Sequence, residues 1–210
     1  GPLSAVLNRK NLPPDDAQLL QIAQKSGQGL VELVGEILHL GKLEAGRLTL
    51  NETPVKLQTT FLRLVGNFDS YAQRLGVRYE GHCDIPAEAV ASIDRKKFET
   101  VLNNLLSNAF KFTPAGGSIV AALSQTTAGH LLLSVRDTGR GIHPDDLPHV
   151  FERYFQSKQR NAPTEGGTGI GLATVKKLVE RHGGTITGSG IPDKGAVFRF
   201  TLDPLSSDLP

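Results

Sequence analysis

Asn104, Asn108 and Lys111 stand four and then three residues apart in "DRKKFETVLNNLLSNAFKFT". That spacing lines them along one stripe of an α-helix. Beside it Phe98, Val101, Leu102, Leu105, Leu106 and Ala109 form an apolar face. An amide oxygen ligates a hard cation directly or through water, and a lysine one turn further on meets a phosphate. A solvated helix surface is the plainer alternative, opposed by the weak helix propensity of asparagine. A second group is "VRDTGRGI", in which Asp137 ends an extended run and Gly139 and Gly141 flank Arg140. Either this is a tight Asp-x-Gly turn, or the carboxylate accepts from an exocyclic amine such as that of adenine while the glycines admit a flat ring. The third group is "EGGTGIGLATVKKLVERHGGTI", where Gly167, Gly169 and Gly171 precede an amphipathic segment. Each glycine costs a helix about 1 kcal/mol relative to alanine. Three of them at a helix start predict backbone kept bare for a close approach, and the free N–H groups there favour an anion such as phosphate.

Two other phosphate motifs fail. A Walker loop around Gly41-Lys42 needs a glycine where Glu36 stands, and a dinucleotide fingerprint needs one where Thr174 stands. Composition narrows the classes further. The chain has 210 residues, 39% hydrophobic and 21% charged, as in an ordinary globular protein with room for one domain and an appendage. A formal charge of +2 gives no reason to expect nucleic acid or an anionic membrane as partner. One cysteine, Cys83, excludes an internal disulfide and multi-cysteine metal sites and fits a reducing compartment. No apolar run reaches the roughly 18 residues of a membrane span, and no signal peptide is expected. Methionine is absent, even at position 1, which predicts a piece of a longer parent.

The elements that must position these groups follow from periodicity. After "NLPPDD", a helix start, Leu19, Ala23, Ser26, Leu30, Leu33, Ile37 and Leu40 repeat in steps of four and three, a heptad seam. Val34 and Leu38 widen it, and Leu3, Val6 and Leu7 supply a short preceding helix, so a dimerising helical hairpin is expected. "VKLQTTFLRLVGNFDSYAQRLG" starts extended and turns helical, and "VRYEGHC" and "AVASID" look like a pair of short strands. A helix is expected over 94–111, then a hairpin of "SIVAALSQT" and "HLLLSVRDTG" around Ala128-Gly129. "HPDDLPHVFERYF" reads as a short helix, 169–181 as a longer one, and "GTITGSG" and "GAVFRFTLD" as closing strands. Antiparallel strands among helices predict an α+β layered sandwich. Residues 1–50 form the helical segment, 51–205 the main domain and 206–210 a tail.

Taken in this order, these stretches resemble the ATP-binding catalytic domain of sensor histidine kinases. "NNLLSNAFKFTPAGG" is similar to that family's asparagine box, "DTGRGI" to its first glycine box, "FERYF" to its phenylalanine box and "GGTGIGLATVKKLVERHGG" to its second glycine box. "SGQGLVELVGEILHLGKLEAGRL" resembles the second helix of the dimerisation and histidine-phosphotransfer hairpin, and "PLSAVLN" the residues just after the phosphoacceptor motif. The resemblance implies a Bergerat-type sandwich, with a mixed, mainly antiparallel sheet covered by helices, preceded by a truncated hairpin. Its implied substrate and cofactor are ATP and Mg²⁺. Asn108 becomes the Mg²⁺ ligand, Asn104 its support, Lys111 a phosphate contact and Phe112 an aromatic flanking the nucleotide. Asp137 would hold the adenine amino group with Gly139, Gly141 and Ile142 beside the ring. Phe151 and Phe155 would anchor a lid, and Gly167, Thr168, Gly169, Gly171 and Leu172 would border the phosphates. Lys158 and Arg160 are candidate phosphate contacts in that lid, or simply part of a solvated loop.

The resemblance places the phosphoacceptor histidine five residues before Pro2, so no histidine of this chain serves. None of its six histidines is followed by an acidic residue, and His39 reads as structural. Related gyrase and chaperone ATPases place a catalytic glutamate where this chain has Asn104, which cannot act as a base. Phosphoryl transfer to a neutral imidazole needs no strong base, so the pattern favours a kinase over a hydrolase. The implied function is transfer of the ATP γ-phosphoryl to a histidine for relay to a response regulator receiver domain. Further implied partners are the parent's phosphoacceptor helix and a second copy joined through the N-terminal helices. The implied location is cytoplasmic, on the inner face of the membrane if the parent is membrane-bound. The alternative is a nucleotide-binding regulatory or dimerisation module, or a degenerate kinase acting through protein contacts.

Overall fold

The computed structural model describes residues 49–157 and 168–204, together with residues 13, 16, 18–24, 26, 27, 30, 34, 35 and 41 of the N-terminal segment. The chain divides into two compact units, Gly1–Leu48 and Thr49–Pro210. In the first, residues 16, 18–24, 26, 27, 30, 34, 35 and 41 have helical backbone. Of the expected heptad seam, Leu19, Ala23, Ser26 and Leu30 are helical and exposed, and so is Val34. Leu33, Ile37, Leu38 and Leu40, His39, and the short preceding helix at Leu3, Val6 and Leu7 lie outside the described residues, as does the tail 206–210.

The second unit holds strands β1 (Thr53–Lys56), β2 (Arg78–Asp84), β3 (Val90–Ile93), β4 (Ser118–Gln125), β5 (His130–Asp137), β6 (Ile186–Gly190) and β7 (Ala196–Pro204). Its helices are α1 (Leu57–Gly66), α2 (Asp69–Leu75), α3 (Arg95–Phe112) and α4 (Gly171–Arg181). A five-stranded sheet runs β2-β4-β5-β7-β6, and β1 and β3 form a small antiparallel pair. In the large sheet only β2 and β4 are parallel. The result is the expected mixed, mainly antiparallel α+β sandwich.

Period-two alternation explains which face is covered. Ile119, Ala121 and Leu123 of β4, Leu131, Leu133 and Val135 of β5, and Phe198, Phe200 and Leu202 of β7 are all buried. Against that face lie the apolar stripe of α3 (Phe98, Val101, Leu102, Leu105, Leu106, Ala109) and that of α4 (Ala173, Val175, Leu178, Val179). Helix α3 starts at Asp94, whose carboxylate accepts from the Lys97 N–H at 3.1 Å, an N-cap that satisfies a donor the helix cannot. The second carboxylate oxygen accepts from the Asn51 N–H at 3.1 Å. Burial disfavours ionisation of Asp94, yet those two hydrogen bonds and the charges of Lys97 and His182 carry its pKa below the ordinary carboxylate value.

Two expectations are overturned. The strands "VRYEGHC" and "AVASID" do not pair with one another. β3 pairs with β1, Val55 opposite Ala91, whereas β2 runs parallel to β4, Tyr79 opposite Ile119. A parallel pair needs a crossover of a dozen residues or more, and here β3 and α3 supply it. Nor is "HPDDLPHVFERYF" a helix: one 3₁₀ turn at Leu147–His149 gives way to irregular turns. Tyr154 then takes the left-handed conformation, φ 60°, which stops helical propagation.

Leu102 is fully buried where α3 meets the sheet. Leu102→Ala is expected to lower unfolding free energy by about 2–5 kcal/mol, read from urea denaturation of the chain.

Candidate nucleotide-binding site

Asp137 is the last residue of β5 and continues the buried row of Leu131, Leu133 and Val135. The alternation that builds the core therefore delivers a carboxylate to the helix-covered face. Its Oδ1 accepts from the Gly139 N–H at 2.8 Å and the Ala196 N–H at 3.3 Å. Burial raises its pKa above the ordinary value, and these two backbone hydrogen bonds oppose the rise. Both bonds fall on Oδ1, so among the described residues Oδ2 carries no hydrogen bond.

The loop after Asp137 is held by backbone. A Cβ at Gly139 would strike the Phe112 carbonyl, and one at Gly141, φ 71°, would strike the Ile191 carbonyl. The protein's own packing thus requires glycine at both positions, whatever else lies beside them. Ile142 packs against Gly190 of β6, its Cβ 3.1 Å from the position a Gly190 Cβ would take. The β6–β7 loop forms the wall here: Ala196 N–H reaches Asp137, and a Cβ at Gly195 would strike the Asp137 carbonyl. Sequence reading missed this wall, although "GIPDKG" carries the glycine and proline of a tight turn.

Helix α3 presents the amide stripe. Asn104 and Asn108 are both half-buried beside the apolar face, as are Lys111 and Phe112 at its end. The Asn104 Nδ2 donates to the Thr100 carbonyl at 2.9 Å, which orients its amide. The Asn104 Oδ1 lies 2.7 Å from where a Cβ of Gly171 would stand. The bare residue that opens α4 thus meets the stripe of α3, so two of the three sequence groups converge. Asn108, one turn on, makes no hydrogen bond among the described residues, which leaves its amide oxygen suited to a hard cation. The Phe112 ring lies under two cations, Lys111 Nζ at 5.1 Å and the Arg140 guanidinium at 4.2 Å from its centroid.

At the start of α4, Thr168 Oγ1 accepts from the Ile170 N–H at 3.2 Å, and the first intrahelical bond runs from the Thr174 N–H to the Ile170 carbonyl. No side chain caps the helix, so its first N–H groups suit an anion. Leu172 is half-buried in that turn. Gly169, φ 70°, is bare because a Cβ would come 2.7 Å from the Tyr154 backbone, whose N–H donates to the Gly169 carbonyl at 2.9 Å. Phe151 packs edge-on to Phe198 of β7, centroids 6.0 Å apart, and Phe155 lies 5.8 Å from the His149 ring. Gly167, Lys158 and Arg160 lie outside the described residues.

A family model described as histidine kinase-, DNA gyrase B-, and HSP90-like ATPase matches residues 93–206. The chain belongs to this family. The sensor histidine kinase TmoS of Ectopseudomonas mendocina is 36% identical over 187 residues, 89% of this chain and 19% of that protein. The hybrid signal transduction histidine kinase D of Dictyostelium discoideum is 36% identical over 216 residues, 100% of this chain and 14% of its own length. The chain thus spans less than a fifth of these relatives. The crystal structure of full-length ShkA in complex with AMPPNP superposes with a TM-score of 0.78 at 27% identity, covering 97% of this chain and 42% of ShkA. Residues 93–206 thus match the ATP-binding domain that sensor histidine kinases carry, and the second unit has the Bergerat-type sandwich. No helix among the described residues is long and apolar enough to cross a membrane.

The raised pKa of Asp137 fixes a sign. The folded state holds this proton more tightly than the unfolded state, so the group's contribution to stability is full below the ordinary aspartate pKa of about 3.9. That contribution is lost as pH rises through the raised value. Asp137→Asn keeps an acceptor for Gly139 and Ala196 but cannot ionise. It is expected to melt above the parent chain at neutral pH, with the gap closing as pH falls into the carboxylate range in paired thermal scans.

Proposed function

We propose that this chain is the ATP-binding catalytic part of a sensor histidine protein kinase, transferring the ATP γ-phosphoryl to a histidine for relay to a response regulator receiver domain. The observation that carries this reading is the meeting of the α3 amide stripe with the bare N-terminus of α4 at Asn104 and Gly171. Around it Asp137 would accept from the adenine amino group through Oδ2, with Gly139, Gly141 and Ile142 shaping the base end. Lys111 would meet the phosphates, with Thr168, Gly169, Gly171 and Leu172 bordering them, and Phe112 would flank the nucleotide. Asn108, whose amide makes no hydrogen bond among the described residues, fits Mg²⁺, which when bound with the triphosphate neutralises phosphate charge. Asn104 positions the stripe and cannot remove a proton from water, which supports transfer to an imidazole over hydrolysis. Transfer then depends on holding the donor in line with the acceptor. Phe151 and Phe155 would tether a lid over residues 156–165.

Residues 1–50 would be a truncated dimerisation and phosphotransfer segment, with the acceptor histidine on the parent's phosphoacceptor helix, and 51–205 the catalytic domain. The division of the chain after Leu48 supports that boundary. Exposed Leu19, Ile22, Leu30 and Val34 on helical backbone support pairing with a second copy. They also suit the second reading, a nucleotide-responsive dimerisation module. The location this function implies is cytoplasmic, on the inner face of the membrane if the parent is membrane-bound.

Mixing the chain with a separate helical hairpin that carries an acceptor histidine, plus γ-labelled ATP, is expected to label the histidine. Asn108→Ala should lower that labelling about tenfold or more. Nucleotide binding without any transfer would favour the regulatory module. Asp137→Asn is expected to weaken ATP about 10- to 100-fold, the value of a hydrogen bond to a charged group, and GTP much less, by calorimetric titration. Leu30→Glu should leave a monomer in sedimentation that still binds ATP.

A further inference from the structure

Arg140 is the residue of the Asp137 loop that the nucleotide roles leave unused. Its backbone is held on both sides: the N–H donates to the Phe112 carbonyl at 3.3 Å, and the carbonyl accepts from the Asp193 N–H at 2.8 Å. The side chain is therefore rooted between the end of α3 and the β6–β7 loop. Its guanidinium lies on the Phe112 ring, 4.2 Å from the centroid, and Nη1 is buried with no hydrogen-bond partner among the described residues. A buried donor left unmade is unfavourable by about 1–3 kcal/mol, more where it is charged. Native proteins retain such groups where something else satisfies them. Burial pulls the Arg140 pKa below the guanidinium norm, with the Asp146 charge opposing. Asp146 itself is engaged, accepting from Ser157 Oγ at 2.6 Å. A guanidinium remains charged in any protein setting. The same Phe112 ring also carries Lys111 Nζ at 5.1 Å.

We propose that Arg140 is a second cationic contact for the phosphate chain of the bound nucleotide, acting with Lys111 around the Phe112 ring. This rests on the nucleotide reading of the site and adds a residue to it. Its planar fork suits bidentate phosphate recognition, which an ammonium cannot reproduce. The contact scales with ligand charge, whereas support of Phe112 alone would act on every adenine ligand alike.

Calorimetric titration of the whole chain with ATP, ADP, AMP and adenosine, in Mg²⁺ buffer, separates these. Arg140→Gln is expected to weaken ATP about tenfold and ADP somewhat less, with adenosine unchanged, which also reports an intact base pocket. Arg140→Lys should recover part of the ATP loss, and it carries the test if the glutamine variant does not fold. Equal weakening of all four ligands, or ATP binding untouched by either substitution, would overturn the role of Arg140 while leaving the nucleotide site standing. Absence of ATP binding by the unsubstituted chain would instead overturn the nucleotide reading itself.

Discussion

Helix α4 begins against helix α3 with no room for a side chain, and the architecture of the site depends on that contact. With any residue larger than glycine at position 171, the first turn of α4 or the Asn104 amide would have to move. The two helices share the covered face of the sheet, and Leu105, Leu106, Val175 and Leu178 fill the core there. An anion-favouring helix terminus and an amide-bearing stripe are thus brought together by packing alone. The chemistry of the site is inherited from the way the core closes.

Asp137 shows the same economy at the other end. Its place in the row of Leu131, Leu133 and Val135 would ordinarily demand an apolar residue. Two backbone N–H groups make the carboxylate tolerable there but do not remove the penalty of burying it, which is why its proton is held more tightly than usual. A ligand amine that supplies a further hydrogen bond meets a group already desolvated and fixed in direction. Such a group has little reorganisation left to undergo when the ligand arrives.

What was legible in the sequence was local. The stripe of α3, the β4–β5 hairpin and the α4 periodicity each follow from short-range spacings, and the structure follows them. The parallel pairing of β2 with β4 was not legible, because its partners lie some 40 residues apart and neither strand records the other's identity. At 143–155 a 3₁₀ turn and irregular turns replace the expected helix, and the left-handed Tyr154 near the end of the stretch is a conformation no propensity flags. For the glycines the spacing pointed outward to a ligand, and the structure adds a reason within the chain. Gly139, Gly141 and Gly169 are small because the chain's own backbone presses on them, a long-range fact invisible to motif spacing.

The hydrogen bond from Tyr154 to Gly169 has a bearing on how such proteins diversify. It brings together the two ends of the intervening stretch and fastens them to the sheet through Phe151. For a flexible connection whose ends are joined, the entropy of closure grows only with the logarithm of its length, about 0.6 kcal/mol per doubling. Insertions or deletions between these two residues are therefore nearly neutral for the rest of the domain. Evolution is free to rewrite that stretch for a new partner without re-solving the fold.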